Sequence, residues 1–180
     1  IYISTVSDLP AFSGLGSSSS FAVGLLHALH ALRMERVSAG QLAEEAAHVE
    51  IDILERPIGK QDHYAAAVGG LNYICFLPDG GVTLEPQTLS QGNLDKLFDH
   101  VLMFSTAIWR DASSILYEQK RNMSDGVDEL LAMRGHAQEL RDMLKNSFCP
   151  ENFGNVMHNN WQRKRNLASG ITNEQIDAWY

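Results

Sequence analysis

The chain of 180 residues is 44% hydrophobic and carries a formal net charge of −8 at neutral pH. That length holds one domain or parts of two, with enough apolar residues for a core. The acidic balance argues against general nucleic-acid binding, which needs a basic face, and no run of about 18 apolar residues suggests a membrane span. Two cysteines, Cys75 and Cys149, stand far apart with no metal-binding spacing and read as reduced, buried thiols of a cytoplasmic protein. The first residues, IYISTVSDLP, have neither the basic start nor the long apolar stretch of a signal peptide. The missing initial methionine and the helical-looking end, EQIDAWY, give the expectation of a fragment or processed chain.

The first predicted element follows the stretch DLPAFSGLGSSSS. Phe21, Leu25, Leu29 and Leu32 recur at helical spacing, with Ala22, Leu26 and Ala28 beside them, which predicts a mostly buried helix. Ser38 and Gln41 form a capping-box pattern opening a second helix that carries Leu42, Ala43, Ala46, Ala47 and Val49 and must stop before Pro57. LNYICFL has strand composition, PDGG is a turn, and VTLEP continues as a second strand. Residues 86–96 are polar and predict a loop linking two domains, and HVLMFST predicts a buried strand. Four helical stretches complete the chain: one behind an Asp111 N-cap, one from Ser124 to about Asn146, one around NVMHNNWQRKRNL, and one behind a Thr172 cap. The expected class is α+β, rich in helix.

Four consecutive serines, Ser17–Ser20, pose the chemical question. Serine caps helices, so the run is explained without chemistry; but glycines and hydroxyls at a helix start also make an anion cradle. Gly14 and Gly16 would let the backbone approach a ligand closely. The Walker pattern GxxxxGK[ST] fails for want of a lysine, GxGxxG for want of a third glycine, and no GxSxG elbow occurs. HVE at 48–50 lacks the PCxxC of a zinc deaminase, and HExxH is absent.

PAFSGLGSSSSF, residues 10–21, resembles the second signature of the GHMP small-molecule kinases. VEIDILERPIGKQDHYAAAVGGLNYICF, residues 49–76, is similar to the branch that includes heptose 7-phosphate kinases, as are STAIWRDASSIL and NNWQRKRNLASGITNEQID further on. The resemblance implies the GHMP two-domain α+β fold. In it a first domain like the second domain of ribosomal protein S5 packs on a ferredoxin-like second domain, with ATP and sugar in the cleft. Residues 1–85 would be part of the first domain and 97–180 part of the second. The family's first motif and its third, a glycine-rich loop, are not found, so the resemblance implies truncation at both ends and feeble activity for this piece alone.

The family's chemistry, carried onto matching positions, assigns Gly14, Leu15, Gly16, Ser17, Ser18 and Ser19 to the ATP phosphates. Ser18 and Glu50 would hold Mg2+, and Asp62, twelve residues after Glu50, would take or orient the substrate hydroxyl proton. Lys60 and Arg110 are candidates for substrate oxygens. His63 stands where the family carries glutamine. The expected reaction is ATP-dependent phosphorylation of the anomeric hydroxyl of a heptose 7-phosphate, with no nucleic-acid or membrane partner. A galactose- or fucose-type kinase, or a non-catalytic nucleotide or sugar sensor on the same fold, is the alternative. The residues themselves also admit plainer readings. Glu50 could be a solvated acid, Asp62 could pair with Lys60 at the surface, and Lys60 and Arg110 could be ordinary solvated charges.

Overall fold

A computed structural model describes residues 2–6, 14–106, 108, 112–146 and 148–180. The chain divides into two compact units: Ile1–Gly69 with Ile108–Ser113, and Gly70–Ala107 with Ser114–Tyr180. The expected Asp111 N-cap and Arg110 lie outside the described residues.

The first unit is built on three helices, α1 (Ser17–Leu32), α2 (Ala39–Ala47) and α3 (Gln61–Val68), with a π-helical turn, His48–Ile53, continuing α2. Val23, Leu42, Ala43, Ala46, Ala47 and Tyr64 are its buried apolar residues. Three alanines in that set leave little between the backbones, so α1, α2 and α3 pack against one another closely. Ser38 is the N-cap of α2 as expected, its hydroxyl accepting from the Gln41 amide at 3.1 Å. The reciprocal half of the box is replaced, because the Gln41 side chain donates to Glu45 instead.

α1 departs from expectation. It buries Ser19 and Val23, whereas Phe21 and Leu32 are 50% and 65% exposed. The helix is apolar around much of its circumference, so spacing alone does not choose a face; contact with α2 and α3 does.

The second unit begins with an antiparallel hairpin, β1 (Asn72–Phe76) and β2 (Val82–Pro86), in register from Asn72 opposite Pro86 to Phe76 opposite Val82. Asp79 Oδ1 accepts from the Gly81 amide in the predicted turn. Helices α4 (Gln91–Asp99), α5 (Ala112–Arg121), α6 (Val127–Asn146), α7 (Pro150–Lys164) and α8 (Glu174–Trp179) follow. Lys145 and Arg141 of α6 reach the hairpin, the first pairing with Glu85 and the second lying over the Tyr73 ring at 4.8 Å. α6 packs on α7, where Arg163 pairs with Glu129 at 2.8 Å. Glu118 of α5 accepts from the amide and hydroxyl of Ser169, which holds its carboxyl below the usual range.

Three expectations are corrected in this unit. Residues expected as a link contain α4, because Ser90 caps it through the Asn93 amide and Leu94, Leu97 and Phe98 follow at helical spacing. HVLMFST forms no strand: Val101, Leu102, Met103 and Phe104 are exposed, and the sheet among the described residues is the β1–β2 pair alone. Strand composition makes a strand only where another edge offers its ladder. Asn173, not Thr172, caps α8 by accepting from the Ile176 amide, while Thr172 donates to Asp177. Both cysteines are free thiols, as read from the sequence, but half-buried where buried thiols were expected. No described helix is long and apolar enough to cross a membrane.

His30 of α1 bridges Glu45 and Glu35 at 2.6 and 2.7 Å. The Glu45 bond, then the Glu35 bond, raises its pKa above 6.5. A raised folded pKa contributes stability fully below the unfolded value and loses it as pH rises through the folded one. His30→Gln should therefore lower the melting temperature more at about pH 5.5 than at about pH 9, checked by thermal melts at both.

Candidate active site

The turn in front of α1 is set by two glycines in the left-handed region, Gly14 at φ 73 and Gly16 at φ 67. Gly16 is the N-cap and supplies no side-chain bond, so none of the four serines caps the helix. The first intrahelical bond runs from the Ser20 amide to the Gly16 carbonyl, at 3.0 Å. The amides of Ser17, Ser18 and Ser19 thus open the helix with no backbone acceptor one turn back among the described residues. Ser18 is exposed, Ser17 half-buried, and Ser19 3% exposed.

Asp62 sits against this turn. A methyl group at Gly16 would lie 3.4 Å from its Cβ and Cγ and 3.5 Å from Oδ2. A Cβ there would touch the Asp62 side chain at ordinary van der Waals distance, so it is the left-handed φ that favours glycine at position 16. Asp62 is exposed, in the first turn of α3.

Glu50 lies on the π-helical turn and is 4% exposed. It is therefore not a solvated acid. Its Oε2 accepts from Ser19 Oγ at 3.1 Å and from His63 Nε2 at 2.8 Å, and its Oε1 from Arg56 Nη1 at 3.1 Å. A carboxylate only accepts, so the His63 proton is on Nε2. His63 is fully buried, and its Nδ1 has no partner among the described residues. Arg56 is turned back onto Glu50 by Glu55, held in the left-handed region at φ 51, and the Arg56 amide donates to the Glu50 carbonyl at 3.0 Å. Removing one of these donors leaves a buried acceptor unsatisfied, at a cost of about 1–3 kcal/mol.

Lys60 does not pair with Asp62. Its Nζ contacts both oxygens of Glu44, at 2.9 and 3.2 Å, and the Tyr64 hydroxyl donates to the same carboxylate. The Tyr64 bond, with Lys60 behind it, holds the Glu44 carboxyl below its usual range. Burial, then Glu44, pushes the Tyr64 hydroxyl well up.

The structure thus brings Glu50 and Asp62, from two elements, to the glycine turn of a third. Ser19, not Ser18, is the serine bonded to Glu50. Arg56 and the role of His63 were missed by sequence reasoning; the one signal was His63 beside Asp62, thirteen residues from Glu50.

No group of three or more metal-ligating His, Cys, Asp or Glu exists among the described residues. A nucleotide-bound Mg2+ needs only one or two protein oxygens, the rest coming from phosphate and water. The exposed hydroxyl of Ser18 is of the right type. The three donors on Glu50 leave one of its roughly four acceptor positions, so the pair fits in kind and in number.

Residues 1–70 match the profile of the GHMP kinases N terminal domain. Across 98% of its length it is 27% identical to a D-glycero-alpha-D-manno-heptose 7-phosphate kinase of Campylobacter jejuni, spanning 52% of that protein. It is 26% identical over 99% of its length to an L-fucokinase/L-fucose-1-P guanylyltransferase of Bacteroides fragilis, spanning 19% of it. A galactokinase of Pyrococcus furiosus is 29% identical over 66% of the chain, which spans 32% of that protein. The chain therefore covers about half the length of the first of these relatives and less of the others.

Among solved structures, a D-glycero-D-manno-heptose 1-phosphate kinase from Bacteroides thetaiotaomicron superposes with TM-score 0.67 over 88% of this chain and 46% of that one, at 24% identity. A putative sugar kinase from Campylobacter jejuni gives 0.58 over 95% and 48%, at 19%. These likenesses show the fold. The chain shares part of the fold of these sugar kinases, mostly helical with a small sheet among the described residues.

Gly16→Ala tests the turn. It places a Cβ at a left-handed φ and should cost about 1–2 kcal/mol, whereas Gly24→Ala, at an open position inside α1, should stabilise by about 0.5–1 kcal/mol. Urea unfolding of the two variants makes the comparison.

Proposed function

We propose that this chain is the nucleotide-binding part of an ATP-dependent GHMP sugar kinase that phosphorylates the anomeric hydroxyl of a heptose 7-phosphate. The observation carrying this reading is the contact of Asp62 with Gly16, which sets a carboxylate beside the amides that open α1. The match of residues 1–70 and the heptose kinase relative support the activity and the sugar.

Phosphoryl transfer asks for positioning and charge stabilisation more than for covalent chemistry by the protein. In the proposed reaction the backbone of Gly14, Leu15, Gly16, Ser17, Ser18 and Ser19 donates to ATP phosphate oxygens, aided by the positive end of α1. Mg2+ would be held by Ser18 and the remaining acceptor position of Glu50, and when bound it neutralises charge on the phosphates. Asp62 accepts or orients the proton of the sugar hydroxyl as that oxygen bonds to the γ-phosphorus and the bond to ADP breaks. Lys60 and Arg110 are proposed for substrate oxygens, Lys60 from its anchored position on Glu44. Residues 1–85 and 97–180 are proposed as parts of the two GHMP domains, with a cytoplasmic enzyme as the whole.

The fucokinase and galactokinase relatives keep the sugar itself open to test. A panel of heptose 7-phosphate, heptose, galactose and fucose with the full-length protein should give the highest kcat/KM for the phosphorylated heptose. Preference for an unphosphorylated sugar would move the substrate to that branch. Asp62→Asn should lower kcat by about 10²–10⁴-fold while ATP binding, followed by calorimetry, changes less than about threefold. Wild-type kcat in that variant would remove Asp62 from the chemistry.

A further inference from the structure

The first turn of α3 is anchored on both sides of Asp62. Lys60, two residues before it, is held by Glu44, and His63, the next residue, by Glu50. Asp62 is the exposed side chain between them, in contact with Gly16. Glu50 in turn receives Ser19 from the first turn of α1. The path from the glycine turn to Asp62 thus closes as a ring through Ser19, Glu50 and His63, all three of which are nearly or wholly buried.

We infer that His63 is a positioning residue: by donating from Nε2 to Glu50 it fixes both the acid beside the phosphate turn and the direction of its own neighbour, Asp62. This inference rests on the proposed kinase reading. The ring is not a matter of packing alone. A fully buried imidazole whose Nδ1 has no partner among the described residues keeps a polar cost that an apolar side chain of similar size avoids. What it gives in return is one directed donor to a buried carboxylate, worth more than a neutral bond and narrower in angle. Arg56 supplies charge to the same carboxylate from the opposite oxygen but is half exposed, and so constrains direction less. A side-chain amide at position 63 offers the same donor, so His63→Gln is the conservative variant and His63→Leu the disruptive one.

The test uses the full-length protein, with kcat, KM for ATP and the Mg2+ concentration for half-maximal rate measured for His63→Leu, His63→Gln and Ser19→Ala. His63→Leu should lower kcat at least tenfold and raise the Mg2+ requirement severalfold, with KM for ATP within about threefold. His63→Gln should recover to within about threefold of wild type, and the Ser19→Ala/His63→Leu double variant should be less than multiplicatively impaired. A folded His63→Leu with wild-type kcat and Mg2+ requirement overturns the inference, as does a folded His63→Gln no better than His63→Leu. If His63→Leu does not fold, Ser19→Ala decides: it must show the same pattern in smaller measure, and wild-type behaviour overturns the inference. A wild-type protein inactive on every sugar sinks the kinase reading instead. Titration of Mg2+ into the ATP-saturated protein by calorimetry then carries the test of the ring, requiring at least fivefold weaker Mg2+ binding in whichever variant folds; unchanged binding overturns it.

Discussion

A carboxylate shut away from water must be met by donors, and the way Glu50 is met organises the first unit. Its three side-chain partners come from α1, from the turn after the π-helical segment, and from α3. No single helix here carries a continuous apolar stripe strong enough to define the arrangement, and much of the apolar interior is alanine. Small side chains let helices approach but say little about their rotation. The bonds to one anion supply that missing rotational constraint, at the end of α1 where the backbone amides are free to meet a ligand.

Asp62 belongs to the same logic from the other side. It is exposed, and the residues around it in sequence are committed elsewhere: Lys60 and Tyr64 to Glu44, His63 to Glu50. Exposure alone would leave an aspartate free to sample its rotamers over solvent. Fixing the backbone on either side, and placing it against a glycine, narrows where its oxygens can be. A group meant to meet a proton on an incoming alcohol gains most from that kind of restraint, since misplacement by about 1 Å can cost about 10²-fold in rate.

The glycine turn, the start of α2 and the hairpin were legible in the sequence because each depends on local rules: left-handed glycines, a serine cap, a PDGG turn. The two acids were legible as candidates by their resemblance to a family, and their closeness to the turn required the fold. What the sequence did not reveal were facts of partnership. The buried face of α1 was misread because its apolar residues surround the helix, α4 because its polar surface conceals a Ser90 cap, and Val101–Phe104 because strand composition says nothing of whether an edge is available. Lys60 was paired by proximity with Asp62, yet side chains two apart on a forming helix diverge, and Glu44 lies across from it.

The π-helical turn, His48–Ile53, has one further consequence. Its Leu54 amide bonds five residues back to Val49, so this coil holds one residue more than an α-helix would in the same length. Deleting His48 or Val49, ahead of the acid, swings Glu50 by about 100° relative to α2, away from Ser19. The count of residues between α2 and the acid thus sets where the carboxylate points.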